Sequence, residues 1–397
     1  MAIRFSQRAG QRDFQGEFTD MILKAANDPN IISFAGGLPN PTSFPTEAVQ
    51  AAANKVFDTY GFRAIQYNAA EGFRPLKEKI CARYKEVQGL DYEPEDVIIT
   101  TGSQQGLDML SAVFLDAGDQ VLVENPTYLV ALQVFHHYFA DVIPVDLMED
   151  GINVEQLAEV MDSSDPKFMY IIPNFQNPTG LTYTEEKRAQ MAEVFRGKNT
   201  FIIEDNPYGE LRFSGQSGHS LAYFLPEQVC MTGTFSKTVA PGMRIGWIAT
   251  KNKELMAKMN SYKASMDIHS SILDQMIINQ YLEDNDLNAQ INNAKVIYED
   301  KAKKMMAAMA KYMPEGVEFT KPEGGMFLWV TLPDGIKGVD VQSEAVKKGV
   351  LVLAGDPFYE KEREVNTMRV NFSNSSDEQI ETGVKAFADT IREFMNK

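Results

Sequence analysis

The sequence predicts an α/β protein with a large domain built on a mostly parallel sheet and a smaller α+β domain. Three observations carry that expectation. Short apolar, β-rich blocks alternate with longer amphipathic stretches from about residue 97 to residue 250, the rhythm of strands and crossover helices. The blocks are compact apolar runs of the kind found in a sheet covered on both faces. A long helical stretch then leads into a second, differently ordered set of strands and helices.

In chain order, VIIT is followed by a helical pattern from Gln104, QVLVE by another from Thr127, and then come DVIPVD, FMYIIP, FIIED, VCMTG and IGWIAT. A sheet of this type places ligand sites at its strand ends. From Asn252 to about Ala310 the pattern is helical with few breakers, and Pro314 with Gly316 closes it, so a domain junction is expected inside that helix. The remainder reads VEFT, MFLWVTL, a helix from Asp340, VLVLA, TMRVNF and a last helix from Asp377. A helix near 17–27 is expected to pack against this unit. The expected division is an N-terminal segment 1–45, a large domain 46–285 and a small domain 286–397, sharing a cleft.

Composition limits what such a protein can do. Of 397 residues 44% are hydrophobic, including 24 Phe and 20 Met, which is enough for a large core and an additional interface. The formal charge of −17 opposes nucleic acid and anionic membrane surfaces as partners. There is no apolar run of membrane-spanning length, and MAIRFSQRAGQRDFQ lacks the apolar core of a secretory signal, so a cytoplasmic location is expected. Cys81 and Cys230 stand far apart among apolar neighbours, as buried free thiols do. His136, His137, His219 and His269 have no metal-ligand spacing, and no metal is expected.

Four segments carry residue types suited to chemistry. In Thr234-Phe235-Ser236-Lys237-Thr238-Val239-Ala240-Pro241-Gly242-Met243-Arg244, a lysine follows a β-like run among hydroxyls, with an arginine seven positions on. An amine that attacks an aldehyde must be deprotonated and held on a rigid turn, and hydroxyls with an arginine suit a phosphate. FIIEDNPYGELRF puts Asp205 and Tyr208 at a strand end, where a carboxylate can keep a pyridine nitrogen protonated and a phenol can bond a ring oxygen; an incidental turn acid is the plain alternative. IIPNFQNPTG carries Asn177 before Pro178, a pattern that by itself marks only a turn. VIITTGSQQGLDML runs from a strand into a helix through Gly102, Ser103 and Gln104, whose N–H groups and helix dipole make an anion site, although many such turns bind nothing.

The order and setting of these segments resemble the class I branch of the fold-type I pyridoxal-phosphate aminotransferases over nearly the whole chain. The blocks ISFAGGLPNPTSFP, QYNAAEGFRPLKE, TTGSQQGLD, PNFQNPTG, EDNPYGEL, TFSKTVAPGMRIGW, PEGGMF and MRVNFS are similar to those of the subgroup holding aminoadipate, kynurenine and broad-range aminotransferases. The resemblance implies that Lys237 binds pyridoxal 5′-phosphate as a Schiff base and also moves the proton from the substrate's Cα. It implies that Asp205 pairs with the ring nitrogen, that Asn177 and Tyr208 contact the ring oxygen, and that Tyr128 stacks on the ring. Ser103, Gln104, Thr234, Ser236 and Arg244 would hold the phosphate, with Tyr67 reaching it from the partner of a homodimer. Arg369 would grip the substrate carboxylate with help from Asn177, and Gly36 and Gly37 would let backbone approach the substrate.

The implied reaction moves an amino group from an L-amino acid to a 2-oxo acid such as 2-oxoglutarate, in a ping-pong cycle. A carbon–sulfur lyase or decarboxylase would use the same cofactor and fold. A transcriptional regulator with an aminotransferase-like sensor would carry a basic extension ahead of this domain, and a nicotinamide oxidoreductase would need a G-x-G-x-x-G that is absent here. The segment GEFTDMILKAAN, by resemblance, covers the side-chain pocket. Aminoadipate-specific relatives place an arginine in it. Here the corresponding position holds Asp20, Lys24 is its only cation, and Phe14, Phe18, Met21 and Ile22 are close by in sequence. Aromatic and aliphatic donors are therefore expected over long acidic ones.

Overall fold

The computed structural model describes residues 3–10, 14–16, 18, 21, 28, 30–361 and 363–396. Most of the segment expected to form a helix near 17–27, including Asp20, Ile22 and Lys24, lies outside the described residues.

The principal sheet has eight strands: β2 (Val97–Thr100), β3 (Gln120–Asn125), β4 (Asp141–Met148), β5 (Gly151–Ile152), β6 (Phe168–Ile171), β7 (Phe201–Asp205), β8 (Val229–Thr234) and β9 (Gly246–Thr250). Their spatial order is β2-β9-β8-β7-β6-β3-β4-β5. Strands β4, β3, β6, β7 and β8 run parallel. Strand β9 is antiparallel to both its neighbours, which leaves β2 in the common direction, and β5 is an antiparallel edge. Burial explains the apolar blocks: Ile99, Met169, Ile202 and Met231 enter one core, while Ile98, Tyr170, Ile203 and Cys230 enter another on the opposite face. Strands β2, β6, β7 and β8 alternate between two cores, so neither face of the sheet's centre is polar. Both cysteines are buried and free.

A second sheet of four strands orders β10 (Glu318–Phe319), β11 (Phe327–Thr331), β14 (Thr367–Asn371) and β13 (Leu353–Ala354), all antiparallel. Its core includes Leu328, Val330, Met368 and Val370 with residues of the helices Leu287–Tyr312 and Asp377–Met395. The first strand, β1 (Ile32–Ser33), pairs in parallel with β12 (Val350–Leu351), so the early chain joins this region.

The structure corrects one sequence expectation. The stretch 252–310 is three helices, Lys253–Met266, Ile272–Asp284 and Leu287–Tyr312, where one was expected. The breaks have local causes. Ile268 takes φ of 64°, and Ser271 then caps the second helix by accepting from Asp274 N. Asp286 caps the third by accepting from Asn288 N and Ala289 N. Side-chain caps end and restart a helix without any Gly or Pro, which is why breaker counting missed them.

Candidate active site

Parallel strands gather chemistry because all their C-terminal ends open on one edge. Asp205 is the last residue of β7 and Thr234 the last of β8, with Lys237 on the turn that follows. Asn177 lies in the loop after β6, and Tyr128, at the N-cap of the helix Leu129–His137, lies in the loop after β3. The helix Gly102–Phe114 starts just after β2, with Ser103 and Gln104 in its first turn. The structure thus brings these residues to one edge of the eight-stranded sheet, where the sequence pattern expected a site.

Lys237 is the centre of this edge. Its Nζ donates to Gly37 O at 2.8 Å and stands 5.9 Å from the centroid of the Tyr208 ring. Burial, aided by the positive charges of Arg244 and Arg369, lowers its pKa from 10.5 to about 8. Gly37 therefore contributes its backbone carbonyl. Tyr208 is buried edge-to-face on Phe327, with ring centroids 5.9 Å apart, and burial raises its phenol pKa, while that of Tyr128 is pushed up to about 12 for the same reason.

Asp205 is buried with a hydroxyl on each oxygen: Thr232 Oγ1 donates to Oδ1 at 2.6 Å and Tyr170 OH to Oδ2 at 2.7 Å. Burial raises its pKa and those two bonds oppose the rise. Neither hydroxyl was identified from the sequence. The signal for Thr232 lay in strand register, since Asp205 and Thr232 are direct partners across β7 and β8.

An anion cradle lies beside the lysine. Arg244 takes φ of 53°, and its Nη1 donates to Ser236 Oγ at 3.3 Å and Pro241 O at 3.2 Å. Thr234 Oγ1 donates to Ser236 Oγ at 2.9 Å. A Cβ on Gly102 would fall 2.2 Å from Arg244 Nη2, so only glycine lets the guanidinium close on the start of the helix Gly102–Phe114. First-turn N–H groups have no acceptor within their own helix, and two hydroxyls with a guanidinium complete the donor set for a phosphate.

Arg369, on β14, is buried over Phe327, its Cζ 4.4 Å from that ring and 4.9 Å from Phe358. Nη1 donates to Asn177 Oδ1 at 2.7 Å, Nη2 donates to Ala35 O, and Nε is buried without a partner among the described residues. Burial lowers its pKa to about 10. A buried cation with an unused donor is suited to receive a carboxylate. Tyr67 stands apart: it is exposed, packed against the His269 ring at 5.8 Å between centroids.

These residues fit pyridoxal phosphate: an amine of lowered pKa for its aldehyde, a cradle for its phosphate and a buried carboxylate for its ring nitrogen. The comparisons agree. The family described as aminotransferase class I and II matches residues 31–387. The aromatic-amino-acid aminotransferase 1 of Thermococcus litoralis is 38% identical over 382 residues, 95% of this chain and 91% of that protein. The kynurenine aminotransferase of Pyrococcus horikoshii, solved with pyridoxamine phosphate, is 38% identical with a TM-score of 0.93, covering 98% of this chain and 97% of that one. The α-aminoadipate aminotransferase of Thermus thermophilus, solved with N-(5′-phosphopyridoxyl)-L-leucine, is 31% identical with a TM-score of 0.91, covering 99% and 98%. The chain belongs to the class I and II aminotransferases. It uses pyridoxal phosphate to move amino groups from amino acids to 2-oxo acids.

Proposed function

We propose that this aminotransferase is a cytoplasmic homodimer that prefers aromatic and aliphatic L-amino acids and passes the amino group to 2-oxoglutarate in a ping-pong cycle. The observation that carries the reading is the setting of Lys237, an amine of pKa near 8 held at Gly37 O within the fields of Arg244 and Arg369. When bound, pyridoxal phosphate supplies an aldehyde to receive the amino group and a ring that draws electrons from the substrate's Cα.

The chain's own residues do the rest. Lys237 would anchor the aldehyde covalently and, as a free amine, would take the proton from the substrate's Cα. Its lowered pKa leaves a usable neutral fraction near neutral pH. Ser103, Gln104, Thr234, Ser236 and Arg244 would hold the phosphate, Tyr128 would cover the ring, and Asn177 and Tyr208 would bond the ring oxygen. Asp205, whose two oxygens accept from Thr232 and Tyr170, would keep the ring nitrogen protonated. Arg369 and Asn177 fix the substrate carboxylate, with the backbone at Gly37 alongside.

The dimer reading rests on exposed apolar side chains. Phe57 is 46% exposed, Phe62 73%, Ile65 70% and Tyr67 75%, grouped on the helix Thr46–Tyr60 and the residues after it. Exposed apolar residues grouped in this way mark an interface, and a second copy covering them would bring Tyr67 toward the partner's phosphate. The division into 1–45, 46–285 and 286–397 belongs to the same reading, supported by the helix break at Asn285–Asp286. No described helix is long and apolar enough to cross a membrane.

A panel of amino donors with 2-oxoglutarate and product identification tests the activity, and sedimentation tests the dimer. The expected products are the matching 2-oxo acid and glutamate. Release of ammonia or carbon dioxide in their place would overturn the reading, as would substantial turnover by Lys237→Ala.

A further inference from the structure

Lys263 has no part in the chemistry above, yet its side chain is fully buried on the last turn of the helix Lys253–Met266. Its Nζ donates to Asp267 Oδ2 at 2.8 Å and Oδ1 at 3.0 Å, to Ser270 Oγ at 3.0 Å and to Gln105 Oε1 at 3.3 Å. Burial lowers its pKa and Asp267 opposes the shift. An ammonium withdrawn from water is tolerated only when acceptors surround it, and here a carboxylate, a hydroxyl and an amide do so.

Gln105 is where this cluster meets the active site. It sits in the helix Gly102–Phe114, and its Oε1 accepts from Thr101 N at 2.7 Å while its Nε2 donates to Asp267 Oδ2 at 2.6 Å. Thr101 Oγ1 donates to Ser270 Oγ at 3.0 Å. The residue just before the helix is thus tied, by side chain and backbone, to a charged cluster behind it. Gly102 meets Arg244 in front, so closely that no Cβ fits between them. Between these contacts the start of the helix has little freedom, and bound groups depend on positioning to within about 0.5 Å.

We infer that Lys263 is a positioning residue for the cofactor's phosphate, bracing the start of the helix Gly102–Phe114 through Gln105 and Thr101 so that its N–H groups meet the anion. This rests on the proposed phosphate roles of Ser103, Gln104 and Arg244. A lysine that only joined two helices would serve overall stability and have no preference for the phosphate end of a ligand. The distinction is measurable because pyridoxal carries the same ring and aldehyde without the phosphate.

The experiment follows cofactor release from the holoenzyme after dilution, by loss of its visible absorbance, with pyridoxal 5′-phosphate and, in parallel, with pyridoxal. Lys263→Met keeps the apolar stem and removes the charge. It is expected to release the phosphate form about tenfold faster, taking as a guide the low end of the loss when a residue bracing a metal ion's ligands is removed. Release of pyridoxal should match the unaltered protein, and Lys263→Arg should restore retention. Should Lys263→Met fail to fold, Gln105→Met cuts the same link while leaving Lys263 with Asp267 and Ser270. Unchanged release of the phosphate form, or equal acceleration of both forms, overturns the inference. Arg244→Gln separates the two levels: if it too leaves phosphate retention unchanged, the phosphate-site reading itself fails, and the inference with it.

Discussion

Asn177 Oδ1 accepts a 2.7 Å hydrogen bond from Arg369 Nη1, joining the loop after β6 to strand β14 across the site. Asn177 thereby fixes one arm of the guanidinium while Ala35 O fixes the other, leaving the buried Nε without a partner among the described residues. A planar cation held this way presents a set direction to a carboxylate, which an ammonium cannot copy. Arg369→Lys should weaken every amino acid substrate alike, by about 2 kcal/mol, or roughly thirtyfold in kcat/KM. Steady-state kinetics on three unrelated donors checks this. Loss confined to one donor would mean that Arg369 reads a side chain.

Lys237 gives a pH dependence whose sign can be worked out. In the cofactor-free protein its pKa is about 8 folded against 10.5 as the ordinary value, so the unfolded chain binds more protons between those limits. Below about 8 both states are protonated and the fold bears the full cost of a buried ammonium; as pH rises from about 8 toward 10.5 that cost is relieved. Lys237→Met should therefore stabilise the cofactor-free protein at pH 7, with the advantage shrinking over that window. Denaturation midpoints of both proteins from pH 6.5 to 10 check this, and a gap that widened with pH would contradict it.

Asp205 depends on the hydroxyls of Thr232 and Tyr170. Asp205→Ala should keep cofactor through the phosphate contacts yet lose at least about a hundredfold in kcat, comparable to the lower end for a positioned proton-transfer group. Thr232→Val keeps the shape and strips one donor from a buried carboxylate, at about 1–3 kcal/mol of stability. It also removes a bond that lowers Asp205's pKa, so the acidic limb of the activity profile should move to higher pH. An unmoved limb would show that Thr232 does not hold Asp205 ionised.

The placement of Lys237, Asp205 and Asn177 at strand ends was legible because a lysine among hydroxyls, or an acid closing an apolar run, has a recognisable context in a parallel sheet. Thr232 and Tyr170 were not legible, because a hydroxyl within a strand reads as ordinary β-forming sequence until register pairs Thr232 with Asp205 and folding brings the Tyr170 hydroxyl to the same carboxylate. Lys263 was hidden for a related reason. On a helix its charge suggests a solvated face, and only tertiary packing buries it against Gln105 and Asp267. The three-way division of 252–310 escaped notice because Ser271 and Asp286 act through caps, which helical periodicity does not register.

Donor preference follows from what surrounds Arg369. Trp329 and Leu353 are its direct cross-strand partners, so all three side chains rise from one face of the four-stranded sheet, and Phe358 lies against the guanidinium. Trp329, Leu353 and Phe358 belong to one apolar cluster with Leu129, and Phe18 and Met21 of the N-terminal segment pack on it. Among the described residues, the positive charges acting on Lys237 are those of Arg244 and Arg369, which the proposed reading commits to the phosphate and the α-carboxylate. A distal carboxylate would thus face an apolar wall and lose hydration against it. Phenylalanine, tyrosine, leucine and kynurenine should each exceed 2-aminoadipate in kcat/KM by about tenfold, since an uncompensated buried polar group costs about 1–3 kcal/mol and about 1.4 kcal/mol is tenfold. Phe18→Arg, which sets a guanidinium against the same wall, should raise the relative rank of 2-aminoadipate. A clear lead for 2-aminoadipate in the unaltered protein would overturn this preference, and an unchanged ranking in Phe18→Arg would remove the N-terminal segment from the side-chain pocket.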